Sequence, residues 1–177
     1  MTEHSIQPLF RKKIKAAELS EFLQMIHSRG VRTSDLLFLC IGTDRSTGDA
    51  LGPLVGTMLE EAGYPDVVGT LAHPFDASNM RERLAALPAG KKVIAIDACL
   101  GQSASLAWYQ VSNRPIEPGK SVGKQLPLVG DYSIAGIVNV DAGQKYAILQ
   151  STSLYRVMKM AGEIVGAIKS VFPRDGQ

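Results

Sequence analysis

Cysteine and histidine are scarce in this chain, with two and three among 177 residues. Cys40 and Cys99 form neither a CxxC pair nor a zinc spacing, so a thiol-rich metal module and a disulfide framework are both excluded. Each cysteine closes an apolar run, where a small buried thiol is the expected role, and the compartment read from this usage is reducing and cytosolic. Long hydrophobic stretches are missing as well. The best run, Leu36 to Ile41, is far too short to span a bilayer, and Met1 to Lys15 is polar and charged rather than a secretory segment. No charge of one sign dominates either. The net charge is +2, and the one short basic cluster, Arg11-Lys12-Lys13 with Lys15, reads as the solvated start of a helix. A general nucleic-acid surface and a membrane partner are therefore not expected.

What remains is an ordinary apolar fraction in a chain long enough for one domain, 1–177, with a helical N-terminal extension at about 1–30. Apolar residues recur at helical spacing through Leu19, Phe22, Leu23 and Ile26, and Gly30 stops them. Leu36–Ile41 reads as a buried parallel strand, Pro53–Ala62 as a helix ended by Gly63, and Val67–Leu71 as a second strand. Asn79–Leu87 reads as a short helix, with Asn79 and Glu82 spaced as a capping box. Strands follow at Val93–Ile96 and Leu106–Val111. A Pro- and Gly-rich loop from Asn113 to Gly130 comes next, of the length that is often functional. The remainder reads as a short helix at Asp131–Asn139, a strand at Tyr146–Leu149 and a closing helix at Leu154–Val171. That last helix is expected to bury Leu154, Val157, Met158, Ala161, Ile164, Val165 and Ile168. The alternation predicts an α/β fold of three layers, α/β/α, around a mostly parallel sheet of about five strands.

In such a sheet, ligands bind beyond the C-terminal strand ends. Two stretches fall there: "CIGTDRSTGDALGP", Cys40 to Pro53, and "VIAIDACLG", Val93 to Gly101. The first is not a phosphate cradle. Its glycines are one residue too far apart for a P-loop, Asp49 and Ala50 stand where Lys and Ser or Thr are required, and GxGxxG is absent. "GQSAS" at Gly101–Ser105 lacks the final glycine of a nucleophile elbow. Cys99 with His73 as its base is a second nucleophile reading, set against a buried structural thiol. Two carboxylates are left, Asp49 and Asp97. Paired acids can divide acid and base roles, or hold a divalent cation through oxygen. The plain alternative is that Asp49 caps the following helix and Asp97 ties its own loop. Asp44 is open between a third acid and an Asx turn.

"IGTDRSTGDALGPLVG" together with "VIAIDACLG" resembles the YyaC family of sporulation proteins, relatives of the spore germination protease, over nearly the whole chain from about Leu36. More distantly it is similar to the hydrogenase maturation endopeptidases, and the resemblance implies their phosphorylase/hydrolase-like fold. It implies a peptidase of atypical aspartic type. Asp49 in "GDALGP" and Asp97 in "IDA" fall on that family's carboxylates; Thr43, Ser46 and Thr47 are expected to hydrogen-bond either their own loop or a substrate backbone, with Asp44 a further candidate contact. The implied substrate is a protein or peptide, with small acid-soluble spore proteins as candidates, and the implied setting is the forespore or spore cytoplasm. The hydrogenase endopeptidases add a histidine to a nickel site. The comparable segment here, "GDYSIAG", carries Tyr132 instead, so neither a nickel ion nor another cofactor is expected. Alternatives are a non-catalytic binding or regulatory relative and a hydrolase of another small substrate.

Overall fold

Leu36 to Cys40 is apolar at every position because it is buried on both faces, as strand β2 of a six-stranded sheet. The computed structural model describes residues 7–119 and 125–174. The strands are β1 (Arg11–Ile14), β2, β3 (Val67–Val68), β4 (Lys92–Gly101), β5 (Tyr109–Ser112) and β6 (Tyr132–Val140). They lie in the order β1-β5-β6-β4-β2-β3. β3, β2, β4 and β6 run parallel, while β5 is antiparallel to β6 and to β1.

The helices are α1 (Leu19–His27), α2 (Leu51–Glu61), α3 (Met80–Ala85), α4 (Lys145–Gln150) and α5 (Leu154–Val171). Alternation along the strands divides the core. Leu36, Phe38, Ile94 and Ile96 pack toward α1, α2 and α5, and the intervening Leu37, Leu39 and Ala95 pack with Phe75, Met80 and Val129 on the α3 side. This is the expected three-layer α/β arrangement, with one strand more than anticipated. No helix among the described residues is long and apolar enough to cross a membrane.

Several local expectations give way. Arg11–Ile14 begins no helix; it is an edge strand, so the expected helical extension over about 1–30 holds an edge strand and a 3₁₀ turn before α1. Asp131–Asn139 is the inner strand β6, buried along most of its length, and Tyr146–Leu149 belongs to helix α4. The second strand is only Val67–Val68. Within α5, Leu154 and Met158 are exposed, and Met160, Ala167 and Val171 take the buried positions. Asn79 does not cap α3. Its carboxamide oxygen accepts from the Asp76 amide at 3.1 Å, and its nitrogen donates to Pro74 O at 3.0 Å. Part of the Asn113–Gly130 loop, and His4, lie outside the described residues.

Candidate active site

β2 ends at the topological switch of the sheet. Its crossover through α2 leads outward to β3, and the next crossover, through α3, returns past it to β4. A crevice opens between β2 and β4 at that point, as it does in other open α/β sheets. Pairing between the two strands stops at Cys40–Ile96, followed by one further bond from the Ile41 amide to Ile96 O at 2.7 Å. β4 runs on without β2, paired only with β6, to Gly101. Asp97 is the first residue past the split. It lies inside the strand rather than at its end, and it shares a face with Ala95, the α3 side of the sheet.

The chain leaving β2 folds back sharply. The Thr43 amide donates to Asp49 O at 3.1 Å, closing the loop, and the Gly42 amide donates to Phe75 O at 3.0 Å. Gly42 adopts φ +143°, and a Cβ there would sit 2.0 Å from Asp49 O. Gly52 is as constrained, since its Cβ would meet Ile41 O at 2.1 Å. Only glycine permits this approach, and the approach brings Asp49 back beside the end of β2. Thr47 and Ala50, the residues that precede the 3₁₀ turn Gly48–Ala50 and α2, supply no side-chain cap to either.

Asp49 and Asp97 line the same two cavities. One, of about 160 Å³, is enclosed by Ile41, Met80, Leu126 and Pro118, with Thr43, Arg45, Asp76 and Tyr146 at its polar edge. Arg45 and Asp76 form an ion pair of 3.5 Å on that edge. The other, of about 540 Å³, is a groove over the part of the sheet farther from β2. Gly119 borders both.

Asp97 is 8% exposed, and its carboxyl is held well above the usual carboxylate range, first by burial. The Ala98 amide, donating to Asp97 Oδ1 at 2.8 Å, opposes that rise, and the negative charge of Asp49 adds to it. The charge of Asp49 therefore acts on Asp97, and Asp97 is biased to keep its proton. Cys99, two residues on, is pushed up to about 12 by burial and by the Asp97 charge, partly offset by Lys13. A thiol so disfavoured as thiolate is a poor nucleophile, and His73 lines neither cavity.

Of the other expected site residues, only Thr43 lines either of these two cavities. Its Oγ1 accepts from the Arg45 amide at 3.3 Å, so Thr43 makes the turn considered for Asp44. Asp44 is exposed. Ser46 is buried with no hydrogen-bond partner for Oγ, and neither it nor Thr47 lines either of these two cavities. Tyr132 packs in the α1/α2/α5 core, away from the aspartates. Among the described residues no group of three or more histidine, cysteine, aspartate or glutamate side chains is placed to hold a metal ion, so the donor set does not fit nickel. The residues missed by the sequence reading are Arg45, Asp76 and Tyr146. Arg45 was inside the quoted motif; the other two come from loops and helices whose approach to the rim depends on long-range packing.

Similarity to solved structures is modest. The chain aligns with the [NiFe] hydrogenase maturation protease HycI from Thermococcus kodakarensis at TM-score 0.48 and 17% identity, covering 76% of this chain and 92% of that one. The maturation protease HybD from the same organism gives TM-score 0.48 and 15% identity, over 80% and 99% of the respective chains. In sequence, uncharacterized protein YyaC of Bacillus subtilis is 43% identical over 153 residues, 82% of this chain and 75% of that protein. The family model described as "Protein of unknown function (DUF1256)" matches residues 10–167, and the chain belongs to that family.

Proposed function

We propose that this protein is a peptidase that hydrolyses a peptide bond between Asp49 and Asp97. The observation carrying the proposal is the pairing itself. Two carboxylates, one from the turn after β2 and one from within β4, face shared cavities at the switch point, and the second is buried and biased toward its protonated form. In this reading Asp49 takes a proton from water as the water oxygen bonds to the carbonyl carbon. Asp97 gives its proton to the carbonyl oxygen. When the tetrahedral species collapses, the C–N bond breaks, Asp49 passes its proton to the leaving amine, and Asp97 recovers the one on the oxygen. The sequence resemblance supports a spore-forming bacterium as the setting, the forespore or spore cytoplasm as the place, and small acid-soluble spore proteins as first substrates to try.

The test is cleavage of those proteins, followed by mass spectrometry, with Asp49→Asn and Asp97→Asn alongside the parent. Asparagine keeps size and most hydrogen bonding but exchanges no proton. Each variant is expected to lose about 10²–10⁴-fold in rate. Parent-like cleavage by both variants, or no cleavage by the parent, would overturn the proposal.

A further inference from the structure

The larger cavity is not explained by the aspartates. It crosses the sheet from β4 to β1 on the face that carries α3 elsewhere, with Asp49 and Asp97 at one end and Arg11 at the other. Its floor follows from the pairing register. Asp97 stands opposite Ala135, Ala135 opposite Gln110, and Gln110 opposite Lys13. The neighbouring row runs Ser133, Ser112, Arg11. Side chains of this size leave a trench where α3 has ended. Polar groups run along the trench, with the two aspartates at one end and Arg11 at the other; Glu117 and the Lys145–Asp141 ion pair line it as well.

Arg11 and Lys13 share the groove face by alternation, since Ile14 packs into the opposite core and Lys12 reaches Glu18 at 3.5 Å. Lys13 makes itself felt on Cys99 across the groove. Among the described residues neither Arg11 nor Lys13 is in an ion pair. Two cations on an edge strand can simply guard against edge pairing. Here, however, Arg11 lines a groove that begins at a pair of acids, and Lys13 stands two residues on along the same face of β1.

We infer that the groove is a binding site for an extended polypeptide segment whose carboxylate is held by Arg11 and Lys13. Three strand spacings separate β4 from β1, about 14 Å, and the offset of Arg11 by one row brings the reach to about 16 Å. An extended chain covers that distance in about four to five residues. The smaller cavity, on the other side of Gly119, takes an apolar side chain next to the aspartates. The carboxylate is an acidic side chain or the segment's own C-terminus. The inference rests on the peptide-binding half of the proposed function and not on cleavage.

The test uses the full chain carrying Asp97→Asn, so that no probe is consumed. The probes are fluorescein-labelled, C-terminally amidated dodecapeptides of alanine and serine containing one leucine and one aspartate at separations of two to nine residues. A second set lacks aspartate and ends in a free carboxylate at the same separations. Fluorescence anisotropy is expected to show the tightest binding at a separation of four to six in at least one set, and the set that binds identifies the source of the carboxylate. Arg11→Gln and Lys13→Gln should each weaken that probe about tenfold, as charge-assisted hydrogen bonds are lost, without altering the melting temperature. Arg11→Glu should shift preference to a lysine-bearing probe. Binding indifferent to separation, unchanged in both glutamine variants, or absent for every peptide overturns the inference. Position-dependent binding with no cleavage by the parent would retain the groove and remove the peptidase. Cleavage indifferent to Arg11 and Lys13 would do the reverse.

Discussion

Replacing Gly52 with alanine sets two effects against each other. Gly52 lies in the first turn of α2, where alanine is intrinsically better than glycine by about 0.5–1 kcal/mol. Its added Cβ, however, would sit 2.1 Å from Ile41 O and 2.7 Å from both Ile41 C and Ile41 N. All three are backbone atoms, so no side chain can swing away. Either Ile41 moves, breaking its 2.7 Å bond to Ile96 O beside Asp97, or the start of α2 moves and carries Asp49 with it. Overpacking of this kind costs about 1–3 kcal/mol, sometimes more, and outweighs the helix preference. For a chain of this size that lowers the melting temperature by about 2–10 °C. Gly166→Ala in α5 isolates the opposing effect, because its Cβ meets nothing within 4 Å and its position is exposed. There the melting temperature should rise by about 1–4 °C. Thermal unfolding followed by circular dichroism measures both. A Gly52→Ala protein melting at or above the parent would refute the account of how the loop holds Asp49.

Ser46→Ala removes a buried hydroxyl without a partner, so it should stabilise the protein by about 1–3 kcal/mol, and destabilisation in a denaturant titration would show that Oγ is satisfied. Asp97 has a raised pKa in the folded state, so the folded protein binds the extra proton and loses stability as pH rises through that pKa. Asp97→Asn should therefore melt above the parent at pH 7–8, with the gap closing toward pH 4, near the unfolded carboxylate range; a gap that widens in acid would contradict the burial argument. Of the two thiols, Cys99 should react slowly with a thiol reagent at pH 8 and Cys40 only on unfolding, since burial raises the pKa of both; rapid reaction of Cys99 in the folded protein would refute its suppressed thiolate.

The site was legible where strand and loop chemistry are local. Asp49 and Asp97 each follow an apolar run, and the glycines around Asp49 mark a chain that must turn hard. Elements whose character is imposed by neighbours were not legible. "SIAGIVN" carries the β-branched Ile134, Ile137 and Val138 of a strand, but Ala135 and Gly136 break up the apolar run; flanked on both sides by strands and buried on both faces, it forms β6. "YAIL" is a short apolar run, which periodicity alone cannot assign; in α4 only Leu149 is buried and Tyr146 turns to the small cavity. The groove was invisible for a different reason. Its existence depends on which part of the sheet α3 fails to cover, and no local signal reports that.

The β1–β5 pairing joins residues about a hundred positions apart, as in Arg11 with Ser112. Closing so long a loop costs entropy before any contact repays it. β1 must also wait for a ready edge, because β5 presents one only after pairing with β6. Asn113 then clasps the incoming segment, accepting from the Phe10 amide at 2.8 Å and donating to Pro8 O at 2.8 Å. The N-terminal strand is thus expected to be the last piece of the sheet to pair and the first to open. Hydrogen exchange should show β1 amides opening well before those of β6. The basic end of the groove would then have a lifetime of its own, shorter than that of the fold, whereas Asp97 stays within the inner strand β4 and Asp49 in the turn held against the end of β2.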